Sequence, residues 1–164
     1  GSEMCIRDSY NLSATLVGWI FIVYLVGTFS STWFGSLSTK FGRQRILYTG
    51  IFIMFSGALL TLPSLLWIKI IGITIFTFGF FGAHSIASGW VTLRAKKDKA
   101  QASSLYLFAY YFGSSVGGTA GGFFWMHFGW NGIVGFIGCG IALSGAFALA
   151  IQLHQRHTKI NAPN

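Results

Sequence analysis

The length of its uncharged intervals constrains this chain more than any other feature. There are 31 positions without a charged side chain between Asp8 and Lys40, 23 between Arg45 and Lys69, 24 between Lys69 and Arg94, and 56 between Lys99 and Arg156. A helix that crosses a bilayer needs roughly 20 mostly apolar residues. Each of the first three intervals holds one such span. The last holds two, with a turn at His127-Phe128-Gly129-Trp130-Asn131-Gly132, where polar residues and glycine interrupt the run. The resulting spans lie near 12–34, 46–63, 66–92, 102–126 and 131–153, and the second and third meet at Leu62-Pro63-Ser64. Lipid offers the backbone no hydrogen-bond partner, so these spans are expected to be helices. The alternating segments of about 10 residues that build a membrane barrel are absent. The expected fold class is an all-α polytopic membrane protein with five transmembrane helices.

Composition closes off the other classes. Charged residues are 9% of the 164 and hydrophobic ones 53%, against about 25% charged in an average soluble domain. That excludes an ordinary soluble enzyme, a disordered chain and a disulfide scaffold. The formal charge of +8 has a telling distribution. Lys40, Arg43 and Arg45 follow the first span, Arg94, Lys96, Lys97 and Lys99 the third, and Arg156 and Lys159 the fifth. The opposite connectors hold only Lys69, which is expected to snorkel to the outer interface. The positive-inside rule puts the basic side, and with it the C-terminus, in the cytoplasm. Trp67, Trp125 and Trp130 fall near the outer boundary, and Trp33 and Trp90 near the inner one, as interfacial belts require. The charge is an orientation signal, and no nucleic-acid partner is expected.

Residues 1–9, Gly-Ser-Glu-Met-Cys-Ile-Arg-Asp-Ser, differ in composition from the rest of the chain and hold two of the three acidic residues. They match a translated transposase-tagging sequencing adapter at all nine positions, so they are expected to be an artefact, with the gene product beginning upstream of Tyr10. The membrane region is then 10–155 and a cytoplasmic tail 156–164. Cys139 is the one cysteine left in that region, so no disulfide forms within it.

The connector Gly35-Ser36-Leu37-Ser38-Thr39-Lys40-Phe41-Gly42-Arg43-Gln44-Arg45 resembles the signature loop of the major facilitator superfamily, Gly-x-Leu-x-Asp-x-x-Gly-Arg-x-Arg. Thr39 stands at the acidic position, which suits the degenerate second copy of that loop. A positive-inside clamp alone also accounts for Lys40, Arg43 and Arg45. In the fourth span, Gly113-Ser114-Ser115-Val116-Gly117-Gly118-Thr119-Ala120-Gly121-Gly122 resembles the antiporter motif Gly-x-x-x-Gly-Pro-x-x-Gly-Gly, with Gly118 in place of proline. Read from the residues alone, Gly113, Gly117, Gly118, Gly121 and Gly122 form a small-residue face that lets another helix approach closely. The stretches 10–31 and 106–130 resemble arabinose-efflux-type inner-membrane permeases. The resemblance implies helices eight to twelve of twelve, part of a C-terminal six-helix repeat, with the earlier helices missing.

Ionisable groups inside a membrane are functional candidates by default. No Asp or Glu lies in any of the five spans, so a coupling carboxylate, if the protein has one, belongs to the missing part. His84 is the one titratable group well inside a span. An imidazole titrates near pH 6.5 in water and can exchange protons, or it can stay neutral on a neighbouring carbonyl. The resemblance implies that spans one, three and four face the central pathway, offering Tyr24, Phe78, Tyr110, Tyr111 and Ser114 beside His84. Aromatic walls with few polar groups suit a semi-apolar small molecule. No cofactor or metal is expected: His127, His154 and His157 are scattered, and the glycine runs lack the Lys-Ser or Lys-Thr of a phosphate loop. His84-Ser85 lacks an acidic orienter, and no enzyme activity is expected. The expectation is part of a secondary transporter in the bacterial inner membrane, an efflux antiporter exchanging a small molecule for protons. An uptake permease or a non-transporting membrane scaffold are the alternatives.

Overall fold

In the computed structural model, residues 14–160 are described, and they are all-helical apart from short turns. Four helices succeed one another: α1 Ala14–Phe41, α2 Arg43–Leu60, α3 Leu66–Arg94 and α4 Lys99–Ile160. The adapter-like segment 1–9, the first two positions of the 12–34 span and the last four residues of the tail lie outside the described residues. Among the described residues, Leu66–Arg94 and Lys99–His157 are long and apolar enough to cross a membrane by length and composition.

α4 breaks once. Gly129 has φ 64° and ψ −151°, a conformation that a side chain would strain, and it divides α4 into arms 99–128 and 130–160. The other sharp turn corrects a sequence expectation. The signature segment is not a loop: Gly35, Thr39 and Lys40 lie on α1, which continues past residue 34 to Phe41, and Arg43 and Arg45 open α2. Gly42 alone stands between the helices, at φ 91°. Its N–H donates to the Ser38 carbonyl at 3.1 Å, and its carbonyl accepts from Ile46 N–H at 3.3 Å. The backbone groups at the junction are thus partnered without a longer connector, and one residue in the left-handed region suffices.

α2 and α3 share the most extensive contact. Gly50 and Gly57 of α2 and Gly72 and Gly79 of α3 are all buried. A Cβ on Gly79 would lie 2.8 Å from the Gly50 carbonyl oxygen, and one on Gly57 would lie 2.8 Å from that of Gly72. The two backbones therefore touch, a distance that only the absence of side chains allows. α1 packs on α3 through Phe34, which is 1% exposed and clusters with Ile46, Ile86 and Phe78. Ser30 donates to the Phe78 carbonyl and Ser31 to that of Phe81. Ala58 joins Val134 and Ile141, tying α2 to the second arm of α4.

Antiparallel succession gathers charge at one end. Tyr48, near the start of α2, donates to Gln152 Oε1 at 3.0 Å near the end of α4. The α1–α2 turn, the end of α3 and the end of α4 therefore lie together, with Lys40, Arg43, Arg45, Arg94 and Arg156 among them. The opposite end holds Lys69. Its Nζ donates to the Thr61 carbonyl at 2.8 Å and lies 4.5 Å from the centre of the Trp130 ring. Thr61 caps the C-terminus of α2, where unpaired carbonyls and the helix dipole attract a cation. Trp130 Nε1–H donates to Thr61 Oγ1 at 3.2 Å. Trp130 thus joins Lys69 and Thr61 in holding this corner, while Trp67 is 64% exposed. Elsewhere large apolar side chains such as Phe52, Phe108 and Met126 face outward, a surface suited to lipid or to further protein.

Candidate functional site

One stripe of α3, from Phe80 through His84, Ala87 and Val91 to Arg94, lines a cavity of about 850 Å³. Steps of three and four residues keep these positions on one helical face. Leu47, Ile51 and Met54 of α2 close one wall, Tyr106 and Tyr110 of the first α4 arm a second, and Phe147, Ile151 and Gln155 of the second arm a third. The site thus draws on three helices and both sides of the Gly129 break; α1, expected to face the pathway, lends it no lining residue, while α2 and the second α4 arm, not expected there, supply two of its walls.

Its interior is aromatic. The Tyr106 hydroxyl lies 2.9 Å from His84 Nδ1 and 3.4 Å from the His84 carbonyl oxygen. One hydroxyl proton serves one of these acceptors at a time; in the other tautomer Nδ1–H donates to the hydroxyl. Nε2 makes no hydrogen bond among the described residues and remains the ring's second polar group. Tyr110 sits 4.5 Å from His84 between ring centroids, and Phe80 stacks on it at 5.9 Å and 9°. Phe76 continues the stack below Phe80 at 6.5 Å and 7°. Offset stacks at such distances are favourable beyond their buried area. At the basic end the walls change to Trp90, Arg94, His154 and Gln155. Gln155 Nε2 is buried without a hydrogen-bond partner. No carboxylate is among the lining residues.

The profile of the Major Facilitator Superfamily matches residues 2–164. The chain belongs to the major facilitator superfamily. It is 49% identical over 154 residues to the "Uncharacterized MFS-type transporter YybF" of Bacillus subtilis (strain 168), covering 92% of this chain and 38% of that protein. It is 44% identical over 147 residues to the "Inner membrane transport protein YnfM" of Escherichia coli (strain K12), covering 90% and 35%. An "Uncharacterized transporter" of Buchnera aphidicola subsp. Schizaphis graminum is 47% identical over 126 residues, covering 77% and 30%. The chain therefore spans about a third of the length of these curated relatives. No solved structure matches it.

Within this superfamily chain the residues singled out from sequence separate into two groups. His84 and Tyr110 meet in the cavity. Tyr24, Phe78, Tyr111 and Ser114 do not line it. Tyr24 is 64% exposed and meets Phe81 in a T-shaped contact, at 6.2 Å between ring centroids. Phe78 lies in the α1–α3 core between Trp33 and Phe34, at 5.8 and 5.6 Å. Tyr111 and Ser114 are exposed on the first α4 arm. Helical phase explains each case: one residue along turns the side chain by about 100°, so Tyr110 faces the cavity and Tyr111 does not. Tyr106 and Phe80 are not among the residues singled out from sequence. Their signal was the spacing of four that links Phe80 to His84 and Tyr106 to Tyr110.

The glycine face of α4 also differs from expectation. A Cβ at Gly113, Gly117, Gly118 or Gly122 would meet nothing within 4 Å, and at Gly121 only Phe136 Cε1 at 4.0 Å. Among the described residues no helix packs on this face. The close contact that glycines permit lies instead between α2 and α3.

Proposed function

We propose that this chain is the C-terminal part of a secondary active transporter of the bacterial inner membrane, a proton-coupled efflux antiporter for small molecules. α1, α2, α3 and the two arms of α4 supply five spans within 10–155, and 156–164 is a cytoplasmic tail. The basic end faces the cytoplasm, following the positive-inside rule. Helices outside this sequence dock on the open Gly113, Gly117 and Gly121 face of α4 and complete the pathway. Repeat-built carriers bind near the bilayer midplane and rock one bundle against the other.

The cavity around His84 carries this reading. It is large enough for a drug-sized molecule, mostly apolar, and furnished with a few convergent polar groups, the usual make-up of a small-molecule site. His84 contributes polarity: with Tyr106 on Nδ1, its Nε2 can donate or accept toward a bound molecule. No Asp or Glu lies in any of these spans, so the coupling carboxylate sits in the missing helices. The antiporter-motif resemblance at 113–122 supports export over import.

The test is dye transport by the full-length protein in proteoliposomes under an imposed pH gradient. Movement of a fluorescent dye that collapses with a protonophore is the expected result. His84→Gln keeps part of the flux and His84→Leu loses more. No gradient-dependent movement across a broad dye panel contradicts the transporter reading.

A further inference from the structure

The cavity is chemically lopsided. One end is a box of rings, His84 with Tyr106, Tyr110 and Phe80, and the other is a cationic mouth at Arg94. We propose that its ligand is a planar aromatic carboxylate, with the ring system in the His84 box and the carboxylate at Arg94 and Gln155. This rests on the transporter reading for the role of the cavity, and on the lining itself for the chemistry of the ligand.

Three observations select that class. The ring box has flat faces and edges to offer, and a planar π-system gains both offset and edge-on contacts there. The mouth holds a guanidinium, a fork of donors whose geometry matches a carboxylate. Beside it, Gln155 Nε2 is a buried donor without a partner, so an arriving acceptor oxygen completes a hydrogen bond that the protein leaves unmade. Nothing in the lining neutralises Arg94, since no Asp or Glu is present. A cationic ligand in this cavity meets a like charge and no counter-charge.

One term opposes an anion. α3 ends at Arg94, and a helix C-terminus carries about half a negative charge. The full positive charge of Arg94 outweighs it, and Lys96, Lys97 and Lys99 come within the next five residues. Geometry limits the length of the ligand. His84 and Arg94 are ten residues apart on one helix, about 15 Å along its axis, and the arginine side chain can fold back over part of that. A two- or three-ring acid fits; a single ring with its carboxylate attached directly reaches only one end.

The probes are 2-naphthoate, its cationic analogue 2-naphthylmethylammonium and its neutral analogue 2-naphthamide. Equilibrium binding of each is measured on the full-length transporter in proteoliposomes. The proposal predicts saturable naphthoate binding at least about tenfold tighter than that of the ammonium. Arg94→Gln lowers naphthoate affinity about tenfold and leaves naphthamide unchanged, while Arg94→Lys restores most of the loss. Tyr110→Leu weakens naphthoate and naphthamide together. The comparison of the three probes on the unmutated protein stands even if a variant fails to fold. Equal or tighter binding of the ammonium, no binding of naphthoate, or an Arg94→Gln protein that holds naphthoate as before overturns the proposal. Flux is scored separately. Naphthoate bound with the predicted charge preference but never moved supports the ligand class and removes the transporter reading. Gradient-driven flux of the ammonium without naphthoate binding does the reverse.

Discussion

Two glycine faces in this chain have the same small-residue character and opposite fates. On α2 and α3, Gly50, Gly57, Gly72 and Gly79 recur at seven-residue intervals within each helix, are buried, and bring two backbones into contact. On the first arm of α4, Gly113, Gly117 and Gly121 recur at intervals of four and face open space. The pattern encodes a capacity for close approach and does not name the partner. Topology supplies the partner. α2 and α3 are joined by a short turn and pair as neighbours, whereas the α4 face has no helix on it among the described residues.

The largest expected effect breaks the closed face. In the full-length transporter, Gly79→Leu puts a branched side chain where even a Cβ lies 2.7 Å from Met54 N and 2.8 Å from the Gly50 carbonyl. Backbone cannot yield as a flexible side chain does. The cost is about 3 kcal/mol or more, seen as loss of most monodisperse protein after detergent extraction. Recovery at the unmutated level contradicts the closeness of the α2–α3 contact.

The open face gives the second prediction. A Cβ at Gly117 meets nothing within 4 Å in this chain, so Gly117→Leu is expected to shift the packing of α1 to α4 by no more than about 0.5 kcal/mol. If helices outside this sequence dock there, as proposed, the same substitution in the full-length protein abolishes flux while folded yield stays near normal. Unchanged flux means that the face meets lipid.

A smaller effect sharpens the contrast, since the far corner is held by side chains instead of glycines. Lys69→Met removes the bond to the Thr61 carbonyl and the contact with the Trp130 ring. Each is worth about 1 kcal/mol, so thermal unfolding in detergent moves down by a few degrees. Lys69→Arg keeps the cation and most of the stability. An unaltered unfolding temperature for Lys69→Met refutes the corner as a stabilising device.

The same contrast explains what could be read in the sequence. Charge gaps and apolar length point to helices, because the backbone must bond within itself wherever side chains stay apolar. The turn at Gly42 lies within a recognisable motif, yet only the structure reveals that a single residue makes it. Side-chain direction was harder. Tyr110 and Tyr111 are adjacent and aromatic, and nothing local says which faces the cavity; the position of α3 decides. Phe78 looked like a pathway residue because its span was expected to face one, whereas its own stripe of α3 packs on Phe34 of α1. Nothing in the sequence distinguishes Gly50 from other span residues, yet Ala83 and Phe34 lie 3.1 Å from where its Cβ would be. Spacing of three and four residues fixes a stripe, and which neighbour meets that stripe is a tertiary fact.

The proposed function puts the cavity between α2, α3 and the two arms of α4 on the transport path. Ala87 lines it, and Phe108, 67% exposed, faces away on the first arm of α4. The direct measurement uses a full-length transporter in which Cys139, exposed here, and any other cysteines are replaced. A single cysteine then stands at Ala87 or at Phe108, and flux is recorded before and after a small methanethiosulfonate reagent. Modification at 87 should abolish flux, with protection by a transported probe, and modification at 108 should leave it intact. Full flux after complete modification at 87 would contradict the account.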